Sequence, residues 1–335
     1  MYKKIDLTDL ELLYQLLKKH GLIYAPLKIK ENLYEFSEAD SMERVSLSYP
    51  RTMIPPKKFL IKPKEIIYQT DAVKGFTEKL DEESKAVVLG VHACDINAIN
   101  LLDKIYLEEF PDGYYRARRN NTVIIGVSCQ PDEYCFCEST GTSYANSGFD
   151  LFLHELTDGY LIRVGSSKGF KIIDDGKNIF KEAEPKDIEE FKSRENMRIE
   201  KFQLHLNTQG LQDILDLSYD SPVWRENADL CFGCGSCNLT CPTCRCYDVV
   251  DYLNLDLNTG ERTRRWDSCM LRQHALVAGG LNFRPTRIER LINRFNCKGS
   301  LSGGALNCVG CGRCTVYCPA GIDFVKIIQK VRGEL

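Results

Sequence analysis

The apolar positions change period along the chain, and the period marks the elements. Within residues 8 to 20, Leu12, Leu13, Leu16 and Leu17 fall on one face at helical spacing, and Lys18, Lys19 and His20 fill the last turn before Gly21. Thr8 and Glu11 stand three apart as in a capping box, so the pattern predicts an amphipathic helix whose role is packing. Prolines gather between Tyr49 and Pro63 and predict irregular chain. From Lys85 the periodicity gives way to short, continuously apolar runs, Ala86 to Val91 and Thr122 to Val127, as in buried parallel strands. Asp95 is placed to cap a helix carrying Ile96, Ile99, Leu102, Ile105 and Tyr106. Phe152 to Leu156 and Tyr160 to Val164 flank Thr157-Asp158-Gly159, a hairpin signal. The stretch Gly165 to Gly169 lacks the ending of a phosphate loop and reads as a turn.

Residues 174 to 202 are charge-rich and predict a solvated helical excursion, and Ser221-Pro222 predicts a helix start. Further helices are expected around Tyr247–Leu253, Arg264–Ala278 and Arg287–Phe295. The expected architecture is an α/β N-terminal domain with a mixed sheet over residues 1–210. A mainly α-helical, ferredoxin-like domain holding two [4Fe–4S] clusters is expected over residues 211–335.

Composition narrows the class. The chain has 335 residues, 16 cysteines and a formal net charge of −3. Nothing in that balance suggests nucleic acid or an anionic membrane as a partner. No signal pattern opens the chain, and no apolar run is long enough to span a bilayer. So many cysteines in a long chain point to a reducing compartment and to metal, hence to a cytoplasmic redox protein.

The cysteines carry the chemistry. Cys231, Cys234, Cys237 and Cys241-Pro242 spell C-x2-C-x2-C-x3-C-P, and Cys308, Cys311, Cys314 and Cys318-Pro319 repeat it. This is the spacing that wraps a [4Fe–4S] cube, with the fourth cysteine of each run serving the other cluster. Gly233, Gly235, Gly310 and Gly312 permit the tight curl such a wrap needs. Cluster I is therefore expected on Cys231, Cys234, Cys237 and Cys318, and cluster II on Cys308, Cys311, Cys314 and Cys241. Zinc sites usually show two C-x2-C pairs, and free thiols have no reason to repeat an eight-cysteine register. A third [4Fe–4S] site is expected on Cys94, Cys129, Cys135 and Cys137, which two parallel strands would deliver from their carboxyl ends. The alternative there is that some of these are small buried hydrophobes.

Cys244, Cys246, Cys269 and Cys297 match no cluster spacing and are expected to pack around the cubes. Arg284, Arg287, Arg290 and Arg294 recur at helical spacing, and Arg262, Arg264 and Arg265 form a second basic patch. Both read as solvated faces, or else as a docking surface or an electrostatic influence on a nearby cluster. No G-x-G-x-x-G follows a strand, so nicotinamide or classical flavin binding is not indicated. No catalytic triad or paired-carboxylate arrangement is present in the pattern, and His92 and His274 read as packing or hydrogen-bonding residues.

Several separated blocks carry a resemblance. Ala93-Cys94-Asp-Ile-Asn-Ala98, Cys135-Phe-Cys137, Cys241-Pro-Thr-Cys244-Arg-Cys246-Tyr, Trp266-Asp-Ser-Cys269-Met and Ala278-Gly-Gly-Leu-Asn-Phe-Arg284 resemble the iron–sulfur electron-transfer subunit of anaerobic sulfite reductases. The ferredoxin part and Cys-Phe-Cys are also similar to the beta subunits of sulfhydrogenase-type nickel–iron hydrogenases. The first resemblance implies a non-catalytic electron carrier working between a flavin subunit that oxidises NADH and a sirohaem subunit that reduces sulfite. The second implies the iron–sulfur subunit of a cytoplasmic hydrogenase. A non-catalytic iron–sulfur binding or assembly protein is the reading from a different class.

Overall fold

The computed structural model describes residues 1–80 and 84–335. Its strands are β1 (Tyr2–Asp6), β2 (Leu22–Lys30), β3 (Leu33–Glu38), β4 (Lys64–Asp71), β5 (Gly75–Glu78), β6 (Ala86–Val91), β7 (Thr122–Val127), β8 (Leu151–Glu155), β9 (Gly159–Val164), β10 (Lys181–Glu182), β11 (Tyr247–Leu253), β12 (Thr259–Trp266) and a short pair, β13 (Leu301–Ser302) and β14 (Ala305–Leu306). Its helices are α1 (Leu10–Lys18), α2 (Ala93–Leu107), α3 (Gly113–Asn121), α4 (Ser167–Asp175), α5 (Pro185–Glu200), α6 (Leu211–Leu217), α7 (Pro222–Leu230), α8 (Ser236–Leu239), α9 (Arg287–Gly299), α10 (Arg313–Val316) and α11 (Phe324–Arg332).

An eight-stranded mixed sheet runs in the order β10-β1-β9-β8-β7-β6-β2-β3. Its centre is parallel, β2 with β6, β6 with β7 and β7 with β8, while the pairs toward both edges are antiparallel. β6 and β7 coincide with the two apolar runs, and β7 is buried along its whole length. A strand covered on both faces has no solvent side to alternate toward, which is why its sequence shows no period.

A four-stranded sheet, β11-β12-β4-β5, corrects one expectation. Tyr247–Leu253 is a strand, not a helix, and the segment expected as a helix from Arg264 begins as the end of β12 and continues as loop and a single 3-10 turn, Arg272–Ala275. β12 is held between β11 and β4, and its pairing with β4 supplies hydrogen-bond partners that no local pattern announces. The sheet draws strands from both sides of residue 210.

Smaller differences have local causes. The helix expected over residues 8–20 is α1, but the Glu11 carboxylate accepts from Met42 N and Gln15 and makes no capping box. The turn expected at Gly165–Gly169 opens α4, because the Ser166 hydroxyl accepts from Gly169 N at 3.1 Å and caps it. The charged segment 174–202 does form a helix, α5, yet Asp187 and Arg198 on it are buried. Among the described residues no helix is long and apolar enough to cross a membrane.

Glu65 on β4 ties the second sheet to its surroundings. Its carboxylate accepts from Arg118 of α3 at 2.8 Å and from Arg264 of β12 at 2.7 Å, and all three side chains are at most 10% exposed. Arg264 also pairs with Asp112 at the start of α3. Arg264 is thus no part of a solvated patch, whereas Arg262 and Arg265 lie exposed on Asp251 and Asp248. Removing a buried carboxylate would leave two guanidinium groups short of charge. Glu65→Gln is expected to lower the unfolding free energy by about 3 kcal/mol or more, measured by denaturant titration, with a much smaller loss for Asp251→Asn.

Candidate metal centres

The two cysteine runs meet face to face. Each begins with left-handed glycines, Gly233 and Gly235 in the first and Gly310 and Gly312 in the second, and each leads into a single helical turn, α8 and α10. Positive φ at these positions curls the backbone so that successive cysteines face inward. Gly233 N then donates to Cys231 Sγ at 3.4 Å, and Ile322 N to Cys318 Sγ at 3.3 Å.

Cys231, Cys234, Cys237 and Cys318 line one cavity, which Cys314 of the second run also lines, walled by Met270, Leu291, Phe295 and Phe324. The cross-connection is physical, since Ser236 Oγ donates to Tyr317 O at 2.9 Å and sets Cys318 beside the first run. The reciprocal crossing joins Cys241 to the second run. Its sulfur lies 3.3 Å from Thr243 Oγ1, which donates to Asn307 O at 2.7 Å, directly before Cys308. Cys308, Cys311 and Cys314 are electrostatic neighbours of Cys241.

The third group forms where the parallel sheet ends. β6 leads to Cys94 in the first turn of α2, and β7 leads to Cys129. Cys94 and Cys137 share a buried cluster with Val309 and Phe202, and Cys135 and Cys311 pack against it. Cys129 and Cys135 are the charged neighbours nearest in effect to Cys137. Asp95 is not a helix cap. Its carboxylate takes both ends of the Arg313 guanidinium, at 2.6 and 2.8 Å, with the two side chains 1% exposed or less.

The second and third groups touch through backbone. Phe136 N donates to Gly310 O at 2.9 Å, and Thr142 Oγ1 donates to Val309 O at 2.8 Å. A Cβ on Gly310 would come within 2.5 Å of Cys137 N, and one on Gly312 within 2.5 Å of Tyr134 O. Glycine is required twice over, by φ and by space.

Three of the four remaining cysteines also gather. The first strand of the β11–β12 hairpin begins just after Cys246 and the second ends just before Asp267, whose N donates to Cys246 O at 3.1 Å. Cys246 thereby comes within hydrogen-bonding reach of both Cys244 and Cys269. Asn238 Nδ2 donates to Cys269 Sγ at 3.0 Å. Cys297 stands on α9 beside Lys298. Among the described residues no three His, Cys, Asp or Glu side chains are arranged around a single metal ion.

Burial dominates the electrostatics. It pushes the thiols of Cys237 and Cys129 up to about 11, and those of Cys135 and Cys308 up to about 12. Such thiols give up their protons only to a metal, since thiolate is the ligating form. Cys241 differs. Burial raises it, but Lys298 and Arg294 outweigh burial and bring it down to about 7. Lys57, Arg294 and Lys298 are all buried, with only neutral hydrogen-bond acceptors: Lys57 on Cys244 O, Arg294 on Cys237 O, Lys298 on Thr243. Among the described residues, Arg294 Nε and Nη1 have no hydrogen-bond partner. Cations buried without carboxylates call for anionic sulfur nearby, and the set of residues fits iron–sulfur clusters.

Of the basic stripe, Arg290 and Arg294 are buried against the cysteine groups, and only its other end, Arg284 half-buried and Arg287 exposed, faces solvent. Arg51, Arg198 and Lys57 gave no sequence signal. Arg51 pairs with Asp132 and donates to Cys135 Sγ at 3.4 Å, while Arg198 donates to Ser143 O at 3.0 Å beside the third group. Arg313 could have been noticed, because it lies inside the second run.

A family model described as a 4Fe-4S dicluster domain matches residues 230–322. Over 320 residues the chain is 47% identical to sulfhydrogenase 2 subunit beta of Pyrococcus furiosus, covering 95% of each chain. No solved structure matches.

Gly310→Ala is expected to force the second run off the Cys135–Cys137 loop. Overpacking together with left-handed backbone strain should cost about 1–3 kcal/mol, read as a lowered melting temperature. Gly279→Ala, which has a positive φ but nothing within 4 Å of its Cβ, should show the smaller effect of strain alone.

Proposed function

Because this chain belongs to the family of sulfhydrogenase beta subunits, we propose that it is the iron–sulfur electron-transfer subunit of a multi-subunit hydrogenase. One observation carries the reading. The likeness spans 95% of both chains and so includes the N-terminal cysteines as well as the dicluster segment. The relative favours the hydrogenase reading over the sulfite-reductase one, which it does not contradict. In the hydrogenase reading a nickel–iron subunit is the partner.

Cys231, Cys234, Cys237 and Cys318 would hold the first [4Fe–4S] cluster, Cys308, Cys311, Cys314 and Cys241 the second, and Cys94, Cys129, Cys135 and Cys137 a third. Bound clusters supply reversible one-electron chemistry, at potentials set by net charge, hydrogen bonds to sulfur and exposure. The chain's own residues set those conditions. Leu291, Phe295 and Phe324 line the first site with apolar surface. Arg294 and Lys298 place positive charge beside the sulfurs of the first and second groups, and Arg51, Arg198 and Arg313 do so at the third. Such cations favour the more negative, reduced form. The contact between Gly310 and Cys137 keeps the second and third groups adjacent, as a relay requires.

Purification from the native host under anaerobic conditions tests the assignment. Nickel should co-purify with the chain, which should itself carry about 12 iron and about 12 labile sulfides, four of each per cube. Sirohaem without nickel would sink the hydrogenase reading, and about eight iron would remove the third cluster.

Cross-ligation has its own test. Cys241→Ser is expected to alter the spectroscopic signature of the cluster on Cys308, Cys311 and Cys314, and Cys318→Ser that on Cys231, Cys234 and Cys237. Serine is a harder ligand than thiolate, so the affected cluster should shift in potential or be lost. If each change struck its own run instead, the crossed assignment would be wrong.

A further inference from the structure

The first cysteine group lies against the surface. Cys234 is exposed, and Phe232, between Cys231 and Cys234, is 69% exposed. Beside it, the loop after β12 folds back on itself, with Leu276 bridged to Asn282 and Phe283 N donating to Ala275 O. This loop packs on the cysteine turn. Met270 O lies 3.5 Å from a Cβ built on Gly233, and Leu271 Cδ2 lies 3.7 Å from one built on Gly235. Leu276 (50%), Leu281 (60%) and Phe283 (66%) are exposed on it.

The loop itself carries charge of one sign. From Ser268 to Ile288 the chain holds no Asp or Glu but has Arg272, Arg284 and Arg287, within a protein whose net charge is −3. Arg287 Nη1 donates to Cys231 O at 2.9 Å, and both Arg272 and Arg287 act electrostatically on Arg290. The acids at the two ends of this stretch are engaged locally, Asp267 with His274 and Glu289 with Thr286 N at the start of α9. An apolar centre with arginines around it has the anatomy of a protein interface.

We propose that this face docks a redox protein whose own cofactor opens onto an apolar surface ringed by Asp and Glu. The proposal deepens the electron-transfer reading above and rests on it. A second copy of the chain fits poorly, because a two-fold interface would set arginines against arginines. An acidic ring instead meets Arg272, Arg284 and Arg287 with opposite charge and brings its cofactor against the most exposed of the three main cysteine groups.

The cluster-loaded chain can be titrated with an acidic two-cluster bacterial ferredoxin as probe and, separately, with a small basic haem protein. Ferredoxin binding should weaken steeply as salt rises from about 20 to 500 mM. Arg272→Glu and Phe283→Asp should each weaken it about tenfold or more, with iron content and reduction by dithionite unchanged. Unchanged binding in both variants would overturn the proposal. So would preference for the basic haem protein, or a chain dimer that either substitution breaks apart. Normal ferredoxin binding by a chain whose clusters cannot be reduced would keep the docking face and sink the electron-carrying reading.

Discussion

The arrangement depends on one fully buried ion pair, Arg313 with Asp95. Arg313 sits inside the second cysteine run and Asp95 follows Cys94, so the pair, more than two hundred residues apart in sequence, joins two cysteine groups. Taking both charges out of water carries a large desolvation penalty, which only good geometry offsets. Here the carboxylate accepts from both terminal nitrogens and Thr52 O takes Nε at 2.8 Å, so each guanidinium nitrogen has an acceptor. Loss of either partner would leave an unpaired charge in the interior. The pair also works with the glycine contacts, since Gly310 and Gly312 bring the run flush against the Cys135–Cys137 loop and Arg313 anchors it there.

The rest of the interior carries its positive charge differently. Arg313 has a carboxylate, but Lys57, Arg294 and Lys298 have only carbonyls and a hydroxyl. Their charge is directed at cysteine sulfur, and Cys241 and Cys244 respond by shifting down from the ordinary thiol range. For Cys244 the largest cause is the hydrogen bond from Cys246, with Lys57 and Lys298 adding to it against burial. The cysteines left over from the cluster motifs therefore belong to the same charged neighbourhood as the second run. Lys57 reaches it from the N-terminal part, with its ammonium 4.3 Å from the centre of the Trp266 ring. Of these cysteines, expected to pack around the cubes, Cys244, Cys246 and Cys269 contact one another.

Features made by short stretches of chain were legible without the fold. The cysteine runs announce themselves because a cube is wrapped by one tight loop, so spacing and glycine placement are local requirements. β6, β7 and the β8–β9 hairpin were legible for the same reason: a buried strand needs an apolar run, and a tight turn needs Asp-Gly. Tertiary structure decided whatever depends on a distant partner. Tyr247–Leu253 and Thr259–Trp266 became strands because β4, nearly two hundred residues earlier, offers hydrogen bonds to β12. Asp95 became an ion partner in place of a cap because Arg313 reaches it, and Arg290 and Arg294 left the solvated face because sulfur lies beneath them. Burial, charge pairing and sheet register are properties of pairs of segments, and a single stretch of sequence carries only one member of each pair.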